Sequence, residues 1–200
     1  MAKKDSLRTY RRKRDLARTP EPAGGRRRSG GRRRPRFVVH QHDATTMHFD
    51  FRLEADGVLK SWAVPKGPST NPKDKRLAMP TEDHPLEYAD FEGVIPEGSY
   101  GAGPVLLWDA GTYRNLTEKD GAEVPMGQAL RDGHVAVWLQ GRKLRGGWAL
   151  TRIGKGQGGR WLLVKMDDEG ADARRNPVRR EPDSVRSGRS IEQVAATEER

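Results

Sequence analysis

The chain has no cysteine. That excludes a disulfide framework, a thiolate metal site and a thiol nucleophile, so any metal must be held by nitrogen and oxygen ligands. Long apolar runs are also missing. Nothing approaches the roughly 18 residues of a membrane span, and the basic N-terminus has no apolar stretch of the signal-peptide kind. A soluble cytoplasmic protein without membrane contact is expected. Hydrophobic residues make up only 34% of the 200 and charged residues 33%. This balance suits one ordinary domain with polar ends.

What is present is charge, unevenly placed. The net charge is +10, yet residues 1–36 hold 15 Lys and Arg against three acids, Asp5, Asp15 and Glu21. The remaining residues carry 23 basic and 25 acidic groups. A basic arm on a nearly neutral domain suits nucleic acid, because each phosphate contact releases counterions. A solubilising tail is the plainer alternative.

Punctuation and periodicity divide the chain into a basic arm over 1–36, a domain over 37–168 and a polar linker or tail over 169–200. In the arm, "PEPAGGRRRSGGRRRPR" should be mobile in isolation, and the stretch before it predicts a short helix from Asp5 or Ser6 to before Thr19-Pro20. From Phe37 to about Met166 the signals are strands. "RFVVHQH" and "MHFDFRLEADGVLKSWAV" alternate, with a hairpin turn at Ala55-Asp56-Gly57. "GPVLLWDAGTYRNL" predicts a strand pair broken near Asp109-Ala110-Gly111. "GHVAVWLQGRKLRGGWALTRI" turns near Gln140-Gly141, and "GRWLLVKMDD" closes the series. Short strands with regular turns predict a mainly β fold, an antiparallel barrel or sandwich. The stretch 65–103 has too much Pro and Gly for regular structure and reads as a long functional loop. "SIEQVAATEER" carries the Ser190 cap of a short helix.

Three of the five histidines fall in "HQHDATTMHFDFR", residues 40–52. Alternate strand residues share a face. His48, Asp50 and Arg52 therefore point one way, and Phe49, Phe51 and Leu53 point to the core. If Asp43 to Met47 is a hairpin connection, His42 lies across from His48. Two imidazoles and a carboxylate then converge, a set that suits a divalent first-row ion with open positions. Arg52 stands one strand repeat further, where it can bind an anion beside the metal. Metal plus arginine is equipment for phosphoryl chemistry. Two readings stay open beside it: a polar outer sheet face, and the two-His-one-carboxylate iron site of an oxygenase.

Elsewhere, Arg76, Glu82, His84 and Tyr88 occupy the loop region, with His84 held extended by Pro85. Gly98, Gly101 and Gly103 fit neither nucleotide fingerprint and read as turn chemistry. His134 looks structural. Trp62, Trp108, Trp138, Trp148 and Trp161 sit in strand patterns and are expected in the core.

The segments "HQHDATTMHFDFRLE", "LKSWAVPKGPS", "RLAMPTEDHPLEYADFEGVIPEGSYGAG" and "YRRKRDLARTPEP" together resemble the 3′-phosphoesterase domain of bacterial DNA ligase D. The match runs in order from about Tyr10 to Met166. The resemblance implies a compact β-barrel with a manganese-type ion on its surface. It implies trimming of primer 3′ ends: a terminal ribonucleoside is removed to leave a 3′-phosphate, which is hydrolysed to a 3′-OH for non-homologous end joining. By the same resemblance His42, His48 and Asp50 match metal ligands, and Arg52 and His84 match phosphate contacts, His84 also as an acid for the leaving oxygen. Lys66, Arg76 and Tyr88 match further active-site positions, with Glu82 a weaker candidate. Arg14, Asp15 and Glu21 fall in a shared segment that folds toward the site. Leu16 departs from a usual phenylalanine. The partners implied are DNA primer-template ends, polymerase and ligase domains, or an end-joining DNA-end-binding protein; a monomer in the nucleoid-containing cytoplasm is expected. A non-catalytic DNA-binding module of a repair complex is the alternative of a different class.

Overall fold

The computed structural model describes residues 5–25, 33–154 and 159–197. Most of "GGRRRSGGRRRPR", with the mobility and DNA affinity ascribed to it, lies outside the described residues. The strands are β1 (Arg36–Asp43), β2 (Met47–Ala55), β3 (Val58–Val64), β4 (Arg76–Pro80), β5 (Gly93–Ile95) and β6 (Gly103–Asn115). A small hairpin follows, β7 (Glu118–Lys119) and β8 (Ala122–Glu123), then β9 (His134–Gly141), β10 (Arg145–Ile153) and β11 (Arg160–Lys165). The helices are α1 (Arg8–Arg12), α2 (Met126–Asp132), α3 (Pro177–Arg180) and α4 (Ile191–Ala195).

The sheet runs β1-β2-β3-β4-β11-β10-β9-β6, and β6 pairs back onto β1. Every pairing is antiparallel, so eight strands close into a barrel with β5 appended outside β6. Closure leaves no sheet edge inside the ring to be covered. The period of two that marks the strands in the sequence fills the interior. Phe37, Val39, Phe49, Phe51, Leu53, Trp62 and Val64 from β1 to β3 meet Leu106, Trp108, Trp148, Leu150 and Trp161 from the opposite wall. Each such side chain contributes about 1.5–3 kcal/mol on burial.

A second apolar layer lies outside the barrel and positions the site. Val38, Val105 and Leu107 point outward and are covered by Tyr10 of α1, by Tyr88 and Phe91, and by Ile95. The covering segment includes a 3-10 turn, Leu86–Asp90. It is pinned by a two-way backbone bond between Leu59 and His84.

Several expectations are corrected. The stretch 65–103 is not all irregular: β4 is a barrel strand between β3 and β11, with Ala78 turned into the core. Pro80 is tolerated because it ends that strand. β6 is one continuous strand rather than a broken pair. The register shifts between Val39, opposite Asp109, and His40, opposite Leu107, so Trp108 is the extra residue of a bulge. The N-terminal helix spans only Arg8–Arg12; just beyond it the Arg14 guanidinium is taken by Glu21 and by Glu82 in the segment after β4. The helix α2, ended by Gly133 in a left-handed conformation, is unforeseen in the strand-dominated reading.

The described part of 169–200 is not a free linker. Ile191 and Val194 are buried in the main core, and Lys143 Nζ donates to the Glu181 and Asp183 carbonyls at 2.7 and 2.6 Å. The Ser190 cap forms a full capping box with Gln193. Four tryptophans are buried, but Trp138 stands on the outer face, since Val137 and Leu139 beside it point inward. His134 starts β9 and bonds Thr151. Among the described residues, no helix is long and apolar enough to cross a membrane.

Candidate metal centre and active site

The β1–β2 hairpin puts His42 directly opposite His48, and His40 opposite Asp50. Ligand atoms of His42, His48 and Asp50 all lie within 4.8 Å of one another. His42 Nδ1 is 3.7 Å from one Asp50 oxygen and His48 Nε2 is 3.6 Å from the other. Ligands held roughly 2.0–2.2 Å from an ion stand roughly 3–3.6 Å apart, so closing on an ion needs only a small inward shift. The remaining ring nitrogens settle the tautomers. His42 Nε2–H donates to the Gly101 carbonyl at 2.8 Å, and His48 Nδ1–H donates to the Thr46 carbonyl at 2.8 Å. Both lone pairs therefore face Asp50, the arrangement by which backbone carbonyls orient metal-binding imidazoles. The donor set fits a divalent first-row ion.

Glycine is required nearby. Gly101 has φ +73° with its Cα hydrogen facing the His42 ring, and any side chain on Gly103 would collide with the Asp43 carbonyl.

Arg52 is buried, and its guanidinium is fixed on three sides. Nε–H donates to His40 Nδ1 at 3.3 Å, Nη1 to Ser61 Oγ at 2.8 Å and Nη2 to Asp50 Oδ2 at 3.0 Å. Ser61 is its cross-strand neighbour on β3, and the Tyr88 ring lies under it at 4.9 Å. Each terminal nitrogen has a second N–H. Burial pushes the Asp50 carboxyl up, but the Arg52 charge outweighs it and holds Asp50 well below the usual carboxylate range. Burial, then Arg52, drives His40 down to about 3. His40 is thus a neutral prop for Arg52, not a ligand.

The N-terminal segment supplies the opposite wall. Arg14 Nε donates to Glu21 at 2.9 Å and Nη1 to Glu82 at 2.8 Å, and Nη2 reaches His84 Nε2 at 3.3 Å. Its guanidinium lies 4.0 Å over the Tyr10 ring, whose hydroxyl donates to the Pro22 carbonyl. Tyr88 donates to the same Glu21 oxygen at 3.1 Å. Burial, then the charges of Arg52 and Arg14, hold His84 well below the ordinary histidine range. A cavity of about 280 Å³ is lined by the three ligand-type residues together with Arg14, Arg52, Glu82, His84 and Tyr88.

Three expected positions are not brought in. Lys66 is exposed in the turn after β3 and does not line the cavity. Arg76 shares the parity of core-facing Ala78 on β4 and donates to Asp74 at 3.2 Å. Asp15 is exposed and caps the backbone N–H of Ala17. Its neighbour Arg14 does the reaching. Glu21 is buried under Arg14 and Tyr88 and holds them in place. Sequence reasoning missed Lys13, Tyr100 and Ser61. For Ser61, strand pairing with Arg52 was the available signal; for Tyr100, only its position before Gly101. A larger cavity of about 580 Å³ lies across the barrel by Trp138, Arg145 and Glu169, with no comparable cluster among the described residues.

The arrangement can hold a cation against an anion-binding pair of arginines, with a neutral imidazole between them. The comparisons agree with that chemistry. Residues 40–152 match the model of the DNA ligase D 3′-phosphoesterase domain. The chain is 47% identical over 188 residues to the multifunctional non-homologous end joining protein LigD of Pseudomonas aeruginosa, covering 92% of this chain and 22% of that protein. It is 46% identical over 165 residues to the LigD of Mycobacterium tuberculosis strain H37Rv, and 43% identical over 168 residues to that of Mycolicibacterium smegmatis. Those matches cover 82% of this chain and 20% and 21% of the relatives, so the chain spans about a fifth of their length. The chain belongs to the DNA ligase D 3′-phosphoesterase domain family.

Proposed function

We propose that the chain is a divalent-metal-dependent hydrolase that heals DNA 3′ ends for non-homologous end joining. It removes a 3′-terminal ribonucleoside to leave a 3′-phosphate and hydrolyses the 3′-phosphate to a 3′-OH. The observation that carries this reading is the His42–His48–Asp50 cluster beside buried Arg52 in one cavity with Arg14 and His84. A two-histidine-one-carboxylate set alone also suits an iron oxygenase. Two arginines and family membership favour phosphate.

His42, His48 and Asp50 would hold manganese or another divalent first-row ion, which when bound supplies Lewis-acid polarisation of a phosphoryl oxygen. Arg52 uses its outstanding N–H groups to neutralise charge that grows on the phosphoryl oxygens, and Arg14 does the same from the opposite wall. His40, Ser61 and Tyr88 keep Arg52 from swinging away. Glu21 and Glu82 do so for Arg14. His84 Nδ1–H donates to the Glu82 carbonyl, so its Nε2 carries a lone pair before substrate arrives. A phosphate ester between the two arginines brings the negative charge that favours protonation at Nε2. In that form His84 donates to the leaving oxygen. Lys66, Arg76 and Asp15 act, on this reading, on the flanking nucleic acid or on local structure.

The partners follow from the substrate: primer-template DNA ends in the cytoplasm, alongside the polymerase and ligase domains or DNA-end-binding protein of an end-joining system. The test is a labelled primer-template ending in a ribonucleotide or a 3′-phosphate, with Mn²⁺ and then with EDTA. Metal-dependent trimming is expected. Salt-sensitive binding without product would leave a non-catalytic DNA-binding module, and Fe²⁺-dependent oxygen uptake would point to the oxygenase.

A further inference from the structure

Tyr100 is the one aromatic among the exposed large apolar side chains of the described residues, at 48%. It stands between two cavities. One is the site cavity described above. The other, about 430 Å³, adjoins it and is lined by Ser6, Thr9, Lys13, Glu82, Asp83 and Tyr100. The ring is anchored, not loose: Lys13 Nζ donates to its hydroxyl at 3.1 Å and lies 4.5 Å from the ring centre, and Arg14 lies 5.4 Å from it. The next residue, Gly101, carries the carbonyl that orients His42. Tyr100 is therefore tied to both the metal-ligand side and the arginine side of the reaction centre.

The chemistry of the second cavity differs from that of the first. Its lining offers the hydroxyls of Ser6, Thr9, Thr81 and Tyr100, the carboxylates of Glu82 and Asp83 and one ammonium; Glu82 takes that ammonium at 3.0 Å, and Asp83 is paired with Lys60 at 2.7 Å. With its one ammonium already engaged by Glu82, such a lining offers little to hold a backbone phosphate. It suits a neutral group with hydroxyls, because carboxylates and hydroxyls accept hydrogen bonds from ribose. Cleavage of a 3′-terminal ribonucleoside produces such a group. Water adds across the P–O5′ bond, its hydroxyl going to phosphorus and a proton to the 5′ oxygen. The departing nucleoside carries no phosphate, whereas the retained strand does.

We propose that Tyr100 and the cavity beside it form the subsite for the leaving ribonucleoside, with the Tyr100 ring stacking on its base. This rests on the hydrolase reading above and adds to it a residue that discriminates the two ends. A 3′-phosphate has no nucleoside on the leaving side, so stacking on Tyr100 serves the diester alone. The ring tolerates any base, since every base has a π face.

The experiment compares wild type, Tyr100→Ala and Tyr100→Trp on two primers, one ending in a single ribonucleoside and one in a 3′-phosphate, both with Mn²⁺. In Tyr100→Ala, KM for the ribonucleoside end rises roughly tenfold or more. Its loss on that end exceeds its loss on the 3′-phosphate by at least that factor. Tyr100→Trp restores the ribonucleoside end. A second readout needs no turnover: a primer ending in 2-aminopurine riboside, bound in EDTA, is quenched by wild type and Tyr100→Trp and not by Tyr100→Ala. Equal losses on both ends, or equal quenching by all three proteins, would overturn the subsite. Wild-type protein inert on both primers would instead remove the hydrolase reading, and the subsite with it.

Discussion

Arg14 Nη2 lies 3.3 Å from His84 Nε2, across 70 positions of sequence. An arginine only donates, so that ring nitrogen accepts and His84 is neutral with its proton on Nδ1, facing the Glu82 carbonyl at 2.8 Å. The contact ties the N-terminal segment to the barrel and sets the protonation state of the central imidazole.

Arg14 also neutralises Glu21 and Glu82, and all three side chains are at most 5% exposed. Removing one partner of a buried ion pair leaves an unpaired charge at a cost of about 3–5 kcal/mol. Arg14→Ala is expected to lose about 3 kcal/mol in urea unfolding and at least about a hundredfold in kcat/KM on a 3′-phosphate primer. Arg14→Lys should recover part of the stability and little of the activity, because an ammonium lacks the fork that serves Glu21, Glu82 and His84 together. Full activity in Arg14→Lys would contradict this account.

Metal affinity should depend on the second ring nitrogens as well as the ligands. His48→Ala and Asp50→Asn are expected to weaken Mn²⁺ binding by about a hundredfold or more, measured by calorimetric titration. Gly101→Ala, which strains a φ of +73° in the residue whose carbonyl orients His42, should weaken it about tenfold by turning His42. Unchanged Mn²⁺ affinity in His48→Ala would rule out the proposed centre.

Acid should destabilise the metal-free protein through its buried histidines. His40 and His84 ionise well below an unfolded value of about 6.5. Below that value the unfolded chain binds protons that the folded protein refuses, so the slope of unfolding free energy against pH is positive. The contribution of these two histidines is complete above about pH 6.5 and falls on acidification, toward about 3 for His40. The slope approaches about 1.4 kcal/mol per pH unit for each histidine. Urea titrations in EDTA between pH 6 and 5, before most carboxylates protonate, should show it. His40→Gln should lower the slope by one histidine's share; a flat profile would count against both assignments.

The C-terminal helix should matter to folding. Ile191 and Val194 reach the main core, so Ile191→Ala is expected to cost about 2 kcal/mol, the low end for a buried isoleucine. The loss should appear in urea unfolding with one cooperative transition. No loss would mean that α4 is detachable, as the polar composition of 169–200 suggested.

Much of the centre was legible before folding was considered. Backbone sterics give a strand a period of two, so the order of residues alone places His48, Asp50 and Arg52 on one face and the phenylalanines on the other. A short connection after Asp43 likewise sets His42 opposite His48. The alternating segments also determined a mainly antiparallel β fold. Other features depended on contacts between distant segments. Closure through β6 and β1, the use of Arg76–Pro80 as a barrel strand, and the burial of Ile191 all follow from filling one interior, which no local window reports. The same holds for the second wall. Arg14 meets Glu82 across 68 positions and Lys13 meets Tyr100 across 87, while Lys66 and Arg76, near the site in sequence, do not line its cavity. Local sequence decides which way a side chain points. Which side chains meet was decided by the packing of the whole chain.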